Sequence, residues 1–246
     1  MSGLAVRFHD MALVPGAAPF DGAFGPGAIT GLAGLDGHGQ DTFLECLAGL
    51  RVPASGGVEV ERDGETIPLT GFRQAARLGV VYLPRDRRKT GIFPNMSVYD
   101  NFGIASLGTD AVAGFLDFGK RRRRYEALKE QFAIVADNPR GSIVRLSGGN
   151  QQKVLLARLL ARDPGVLLLN DPTRGVDVAT RRILYRVFRQ LADQGMTLVV
   201  LSSEIEEAVQ LCDRVLVFRE QHLSRELDGA LKTSDNIIAA MFGEAA

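Results

Sequence analysis

The chain has 246 residues, of which 46% are hydrophobic and 24% charged, so it can bury the core of one α/β domain, with or without an insertion. Its 29 basic and 29 acidic residues cancel, which argues against a protein that binds mainly nucleic-acid phosphates. Two cysteines without paired spacing, Cys46 and Cys212, exclude a disulfide framework and a cysteine-based zinc site, and they suit a reducing compartment.

Short apolar runs alternate with helical stretches along the chain, which predicts a mostly parallel sheet covered by helices. The expected strands are Ala28–Ala33, Val58–Val60, Val80–Leu83, Val166–Leu169, Thr197–Leu201 and Val215–Phe218. Helices are expected from about Gln40 to Leu50 and from Arg181 to Leu191. The run Val166–Leu169 has no polar member, which is typical of a central strand buried on both faces.

The middle of the chain differs from its flanks. From about Arg85 to Asp163 the pattern predicts helices and loops but no strand, so we interpret it as a helical insertion in one α/β core. The basic run Lys120–Arg124 opens one of these helices. A solvated helix face is the favoured interpretation of this run, and contact with phosphates or lipid headgroups is the alternative.

A glycine-rich segment, Gly34–Asp41, lies between an expected strand and an expected helix. Its glycine spacing matches that of a phosphate-binding loop, in which backbone N–H groups surround phosphates at a helix N-terminus. However, Gln40 stands where the loop lysine belongs, and Asp41, followed by Thr42, stands where the Mg²⁺-binding hydroxyl belongs. Taken alone, a plain glycine-rich turn between strand and helix is an equally good interpretation.

The segment Leu146–Lys153 reads Leu-Ser-Gly-Gly-Asn-Gln-Gln-Lys and resembles the signature sequence of ABC ATPases. In that family the motif opens a helix and grips the γ-phosphate of ATP held by the opposing subunit. Ser147 is an N-cap type of residue, while Gly148 and Gly149, followed by Asn150, expose backbone donors to an anion. An ordinary capped helix is the competing interpretation, and the length of the match makes it a weak one.

The segment Val166–Asp177 resembles the apolar strand, acidic pair and D-loop of the same family. In ABC ATPases the pair is Asp, which supports Mg²⁺, followed by Glu, the general base for water. Those two positions hold Asn170 and Asp171 here, whereas Asp177 matches the aspartate of the D-loop.

Two further segments extend the resemblance. Gly79–Ile92, together with Ser97–Asn101, resembles the loop where ABC ATPases carry a glutamine and meet the membrane subunit, and Arg85 takes the glutamine or glutamate position. Leu201–Glu204 resembles the segment of the switch histidine, with Ser203 at the histidine position. The match covers nearly the whole chain and is nearest to the second, C-terminal ATPase half of ribose/galactoside-type sugar importers.

The resemblance implies an α/β fold of the P-loop NTPase (RecA-like) type, with a mostly parallel sheet, antiparallel β edge elements and a helical ABC-specific subdomain. Residues 1–84 and 166–246 are expected to form the ATP-binding core, and residues 85–165 the helical signature subdomain. The implied cofactors are ATP and Mg²⁺, with the metal expected at Asp41 and Asn170. The other positions aligned with nucleotide-binding residues are Gly34, Gly37, Gly39, Gln40, Asp41, Thr42, Ser147, Gly148, Gly149, Asn150 and Asp177.

The chain's own catalytic positions are altered, and Asp171, Ser203 and Arg85 are the candidate catalytic residues. Relative to the family pattern, the changes at residues 40, 41, 85 and 170 sum to no net charge, so nucleotide binding stays open. Hydrolysis is harder to support because Asp171 is one methylene shorter than Glu, and a general base must reach water at about 3 Å. Ser203 has no imidazole.

We therefore expect an importer subunit whose signature acts on the ATP of a competent, homologous ATPase domain. Transmembrane permease subunits and, indirectly, a solute-binding protein are the other expected partners, and nucleic acid is not. No apolar run reaches the roughly 20 residues of a membrane span, and the N-terminus lacks a signal pattern. A soluble protein on the cytoplasmic side of the inner membrane is thus expected. A non-catalytic nucleotide sensor or scaffold of ABC type is the alternative.

Overall fold

A six-stranded sheet forms the centre of the fold, in a computed structural model that describes residues 4–62, 64–112 and 114–244. Its strand order is β12-β11-β3-β10-β9-β6. The strands are β3 (Ile29–Gly34), β6 (Val80–Leu83), β9 (Val166–Asn170), β10 (Thr197–Leu201), β11 (Arg214–Arg219) and β12 (His222–Asp228). β3 pairs in parallel with β10 and β11, β9 pairs in parallel with β10, and β12 is antiparallel. Every residue of β9 and β10 is buried, as the unbroken apolar runs predicted.

A second sheet is antiparallel and has the order β2-β1-β4-β5. Its strands are β1 (Ala5–Ala12), β2 (Phe20–Phe24), β4 (Ser55–Arg62) and β5 (Glu65–Pro68). These strands are the antiparallel β elements expected beside the parallel sheet. Only the middle of β4 was expected from the sequence, because the alternation of β1 is short and ends where its register becomes irregular, after Phe8 and His9.

An aromatic cluster fixes the helix that follows β3. The ring of Phe43, in α1 (Gln40–Leu47), lies 5.0 Å from the ring of Phe8 in β1 and 5.0 Å from that of Phe218 in β11. All three side chains are almost fully buried, and such aromatic contacts add to the free energy of burial. The first turn of α1, and with it the glycine-rich loop, is therefore anchored to both sheets.

The remaining helices cover the sheets or build the inserted segment. They are α2 (Phe72–Leu78), α3 (Val98–Gly103), α4 (Leu107–Asp110), α5 (Phe118–Gln131), α6 (Gly148–Leu160), α7 (Val178–Asp193), α8 (Ile205–Leu211) and α9 (Ser234–Phe242). The expectation that the inserted segment holds no strand was wrong, because β7 (Ala111–Val112) pairs with β8 (Phe115–Leu116). Two-residue strands are too short to leave a periodic pattern in the sequence.

The basic run at the start of α5 is mostly structural rather than solvated. Arg121 is buried, with its guanidinium 5.1 Å from the centre of the Tyr99 ring. Arg124 forms an ion pair with the buried Asp110. Because these two cations have partners inside the fold, the interpretation of a solvated face holds only for the exposed Arg122 and Arg123.

The chain forms two compact units. The first comprises residues 1–82, 165–172 and 189–246, and the second comprises residues 83–164 and 173–188. The second unit thus includes residues 173–188, beyond the expected range of 85–165. The reason is local, since the guanidinium of Arg87 donates to the carbonyl oxygens of Arg174 and Gly175. In the described parts of the chain, no helix is long and apolar enough to cross a membrane.

Candidate functional site

The glycine-rich loop leaves β3 and enters α1 with the backbone of a phosphate loop. Gly37 has a φ of 82° and Gly39 a φ of 112°, values that side chains rarely allow. Gly39 caps α1 without a side-chain hydrogen bond, so the first N–H groups of the helix remain available to an anion. The backbone therefore follows the course of a phosphate loop, which begins at Gly34, the last residue of β3.

The side chain at the lysine position turns back into this loop. Gln40 is 4% exposed, and its amide nitrogen donates to the carbonyl oxygens of Gly34, at 3.1 Å, and Leu35, at 2.9 Å. Its amide oxygen is buried without a hydrogen-bond partner. Both N–H groups of the Gln40 amide are engaged by the protein, and an amide brings no charge. The side chain at this position therefore does not fit a nucleotide phosphate.

Asp41 and Asn170, the two candidate metal ligands, contact each other. The amide nitrogen of Asn170 donates to the Asp41 carboxylate at 3.1 Å and to the Tyr82 hydroxyl at 3.4 Å. Burial raises the pKa of Tyr82, so this hydroxyl stays protonated. Thr42 is the next residue of α1 and is half-buried.

This pair suits the chemistry of a magnesium ion. Carboxylate and amide oxygens are ligands of Mg²⁺, and the Asn170 amide oxygen is buried without a hydrogen-bond partner. Two protein oxygens are enough for an ion that keeps several waters. Among the residues that the structure describes, no cluster of three or more His, Cys, Asp or Glu has the arrangement of a metal site. Asp41 and Asn170 would therefore hold Mg²⁺ together with water or phosphate oxygens.

The loops that follow β9 and β10 are tied together at Asp171. This residue is 4% exposed and has a φ of 48°. One oxygen of its carboxylate accepts the backbone N–H of Ser203 at 2.7 Å, and its own N–H donates to Leu201 at 2.8 Å. Asp171 and Ser203 are thus brought together, but through the backbone of Ser203 rather than through its hydroxyl.

The signature segment forms the start of α6 as expected. Ser147 is exposed and caps the helix, and its hydroxyl accepts the Asn150 N–H at 3.3 Å and the Asn150 amide at 3.1 Å. The Asn150 amide oxygen accepts the Val135 N–H at 2.9 Å. Gly148 and Gly149 make up the first turn of α6. This helix N-terminus is preorganised for an anion.

Asp177 caps α7 and packs close to the signature. Its carboxylate accepts both the Thr180 N–H, at 2.8 Å, and the Thr180 hydroxyl, at 2.9 Å. The backbone hydrogen bond from Thr180 is the main cause that lowers the pKa of Asp177. A methyl group at Gly149 would lie 2.7 Å from the Thr180 hydroxyl oxygen, so the glycine permits this approach.

Arg87 adds a cation to the same region. Its guanidinium donates to Arg174 at 2.8 Å and to Gly175 at 3.3 Å, and a methyl group at Gly148 would lie 2.5 Å from one of its nitrogens. Burial lowers the pKa of Arg87 from its very high ordinary value, which leaves the guanidinium charged. Arg85 lies in the same unit, between β6 and the π-helical turn that begins at Arg87.

The structure assembles the expected residues into two groups, one in each unit. In the first unit these are Gly34, Gly37, Gly39, Gln40, Asp41, Thr42, Asn170, Asp171 and Ser203, and in the second they are Arg85, Ser147, Gly148, Gly149, Asn150 and Asp177. Sequence reasoning assigned no role to Tyr82, Arg87 or Thr180. The spacing of Thr180 from Asp177, three residues, is a capping signal that could have identified it.

Comparison with known proteins identifies the class. The family model described as "ABC transporter" matches residues 19–174. A dimeric ATP-binding cassette in a post-hydrolysis state, bound to ADP and phosphate, superposes with a TM-score of 0.76 over 91% of this chain and 98% of its own, at 21% identity. The chain belongs to the ABC transporter family, as an ATPase domain with the P-loop NTPase fold.

Within the family, the similarity is to sugar-import proteins. A ribose import ATP-binding protein RbsA 2 of Rubrobacter xylanophilus is 39% identical over 217 residues, and an RbsA of Rhodopirellula baltica is 36% identical over 214 residues. These matches cover 88% and 87% of this chain but only 41% and 42% of the relatives. The chain therefore spans less than half the length of the relatives that it matches.

Proposed function

We propose that the chain is the ATP-binding subunit, or half-subunit, of an ABC importer for sugars or related solutes. Its signature completes an ATP site whose phosphate loop belongs to a second, competent ATPase domain. The complex would also contain transmembrane permease subunits at the inner membrane and would receive its solute from a binding protein. The names of the ribose-import relatives support the class of solute.

The proposal rests on the arrangement of residues in the signature region. The N-terminus of α6, the guanidinium of Arg87 and the capped D-loop at Asp177 lie together within one unit. Unpaired N–H groups and a nearby cation both favour a phosphate. An ordinary capped helix needs neither the two glycines nor the arginine.

The chain's own chemistry is proposed to be impaired. Asp171 has a short side chain, and one of its oxygens is engaged by the backbone of Ser203. Ser203 cannot carry a proton as an imidazole does. The Asp41–Asn170 pair still suits Mg²⁺, which would neutralise phosphate charge when bound. Loss of the general base and of the loop lysine is expected to reduce hydrolysis at this site.

The segment Arg85–Asn101 is proposed to dock the permease. Phe93 is 44% exposed, and its ring lies 5.5 Å from the guanidinium of Arg158, which also donates to the Gly91 carbonyl at 2.6 Å. Burial lowers the pKa of Arg158 to about 10. The buried Asn101 accepts the Phe93 N–H and donates to the Phe93 carbonyl, so the loop is rigid although its apolar tip is exposed.

A cavity of about 540 Å³ beside this segment offers room for a partner side chain. Tyr99, which lines the cavity, belongs to the proposed docking segment, and the exposed Phe118 supplies apolar surface. Two cations, Arg122 and Arg140, and one carboxylate, Glu126, also line the cavity, so its lining carries an excess of positive charge. A permease segment with an apolar residue and an acidic residue would complement this cavity.

The test of the trans role is a reconstituted transporter that carries Ser147→Arg. The arginine side chain would fill the space at the start of α6 and block its N–H donors. The loss of donors at such a site costs about 10²–10³ in rate. ATP turnover and solute uptake by the complex should therefore fall by at least about 10²-fold.

Gln40→Lys is the matched control, since it changes the chain's own loop and leaves α6 intact. We expect turnover close to that of the wild type for this variant. Unimpaired turnover in the Ser147→Arg complex would remove the basis of the trans role. Failure of the chain to co-purify with any permease would favour a nucleotide sensor or scaffold instead.

A further inference from the structure

The turn between β11 and β12 rests on the glycine-rich loop. The backbone N–H of Gln221 donates to the His38 carbonyl at 2.9 Å, and its side-chain amide donates to the Gly37 carbonyl. The side-chain amide of Gln40 donates to the carbonyl oxygens of the first two loop residues, Gly34 and Leu35. Two glutamines thus engage four carbonyl groups of one short loop.

This turn has a backbone that its residues do not favour. Arg219 pairs with His222, so Glu220 and Gln221 are the two residues of a tight hairpin turn, with φ values of 50° and 67°. Such turns favour Asn-Gly or Gly-Gly, because both residues need positive φ. A glutamine held in this conformation indicates that its contact with the loop stabilises the turn.

The loop is also covered by direct packing. A methyl group at Gly39 would lie 2.8 Å from a terminal carbon of Leu13 and 3.1 Å from the Cα of Gln221. The space next to the first turn of α1 is therefore filled from two directions by the chain itself.

The two aspartates of the loop and two buried amide oxygens, those of Gln40 and Gln221, oppose an anion. Residues 34–41 contain two aspartates and neither lysine nor arginine. The amide oxygens of Gln40 and Gln221 are both buried without hydrogen-bond partners. Phosphate oxygens are acceptors, as these amide oxygens are, so a phosphate beside them would add repulsion and could not replace the amide donors on the loop carbonyls.

We infer that Gln40 and Gln221 hold this phosphate loop closed, so that the chain's own site excludes nucleotide polyphosphate and serves as a fixed structural element. The inference rests on the proposed function for the identity of the loop and deepens it. The own site would be shut to ATP and not merely slow in hydrolysis. Reopening it requires release of Gln221 in addition to a lysine at position 40.

The experiment is equilibrium binding of a fluorescent ATP analogue with Mg²⁺ to the purified full chain. We expect no saturation up to about 1 mM for the wild type and little gain for Gln40→Lys alone. Gln221→Gly relaxes the turn and removes the amide. The double variant Gln40→Lys/Gln221→Gly should then bind at least about tenfold more tightly than the two single effects predict.

The control is Gln194→Ala, which removes an exposed glutamine near the end of α7. Should Gln221→Gly fold poorly, Gln221→Asn keeps a residue that tolerates positive φ but shortens its reach to the loop. A second readout needs no nucleotide. Amide hydrogen exchange across residues 34–41 should be at least about tenfold faster in either Gln221 variant than in the wild type, because the loop opens more often.

Micromolar binding by the wild type would overturn the inference, as would full recovery with Gln40→Lys alone or unchanged exchange in the Gln221 variants. These measurements use the chain without a permease. They therefore fail or succeed independently of the Ser147→Arg transport experiment, which tests the proposed function.

Discussion

The family pattern has an uncharged hydroxyl at position 41 and a carboxylate at position 170, whereas this chain has the carboxylate at Asp41 and an uncharged amide at Asn170. The carboxylate lies on the helix and the amide on the strand, and the amide bridges Asp41 and Tyr82. The pair retains one negative charge, as a hydroxyl and an aspartate would. The two side chains thus share one hydrogen bond, and a change in one alone leaves the other without its hydrogen-bond partner.

An exchange of the two side chains tests this coupling. Asn170→Asp alone places two carboxylates within hydrogen-bonding distance and should lower the free energy of unfolding by about 1–3 kcal/mol. Asp41→Asn with Asn170→Asp restores one donor and one acceptor, and the Tyr82 hydroxyl can then donate to the carboxylate on the strand. Most of the loss should therefore return in the double variant, as measured by denaturant unfolding with a metal chelator present.

Asp41→Asn alone completes the cycle. A coupling energy below about 0.5 kcal/mol would mean that the two side chains act independently and would contradict the pairing.

The altered residues could be located from sequence, but their contacts could not. Glycine spacing and the signature assign Gln40 and Asn170 to positions at the phosphate site. Spacing says nothing of where an amide will turn, and Gln221 lies 184 residues from its partner Gly37. The closure of the loop depends on a contact between distant segments and on a tight turn with two positive φ values, which the sequence Glu-Gln does not predict.

At the scale of elements, buried strands were the easiest to predict. β9 and β10 contain unbroken apolar runs because they are covered on both faces. β1 carries exposed polar residues between its buried ones, and its pairing with β2 and β4 includes irregular register. Such strands depend on their partners more than on their own pattern.

The cap of α7 carries a pH prediction. The pKa of Asp177 lies below its ordinary value of 3.8, mainly because the Thr180 N–H donates to the ionised carboxylate. A depressed folded-state pKa contributes stability that is present above 3.8 and is lost as the pH falls through the folded value. Asp177→Asn keeps a capping side chain but does not titrate.

Thermal unfolding from about pH 5 to pH 2 should therefore show a smaller acid-side decline for Asp177→Asn than for the wild type. The other carboxylates titrate in both proteins, so the difference between the two curves reports on Asp177. Parallel curves would contradict the prediction, because they would show that the cap stabilises the protonated and the ionised carboxyl of Asp177 equally.

At the scale of the whole molecule, the proposed docking segment predicts where a permease touches the chain. A photo-crosslinking residue at Phe93 should capture a permease subunit in the assembled complex, because the ring is exposed on a rigid loop. Val52 is 84% exposed, belongs to the first unit and serves as the control position. Capture at Val52 but not at Phe93 would place the docking surface elsewhere.

The two groups of site residues together predict that the chain alone does not turn over ATP. The signature at Ser147 has no competent phosphate loop to act on, while Gln40 lacks a charge and Asp171 is engaged by Ser203. Purified chain should release phosphate far below about 1 s⁻¹, the lower range of ordinary enzymes. Gly39→Val is the check, since positive φ and the packing of Leu13 exclude a larger side chain there. A rate near 1 s⁻¹ that disappears in this variant would mean that the own site is catalytic, whereas residual release that persists would be attributed to contamination.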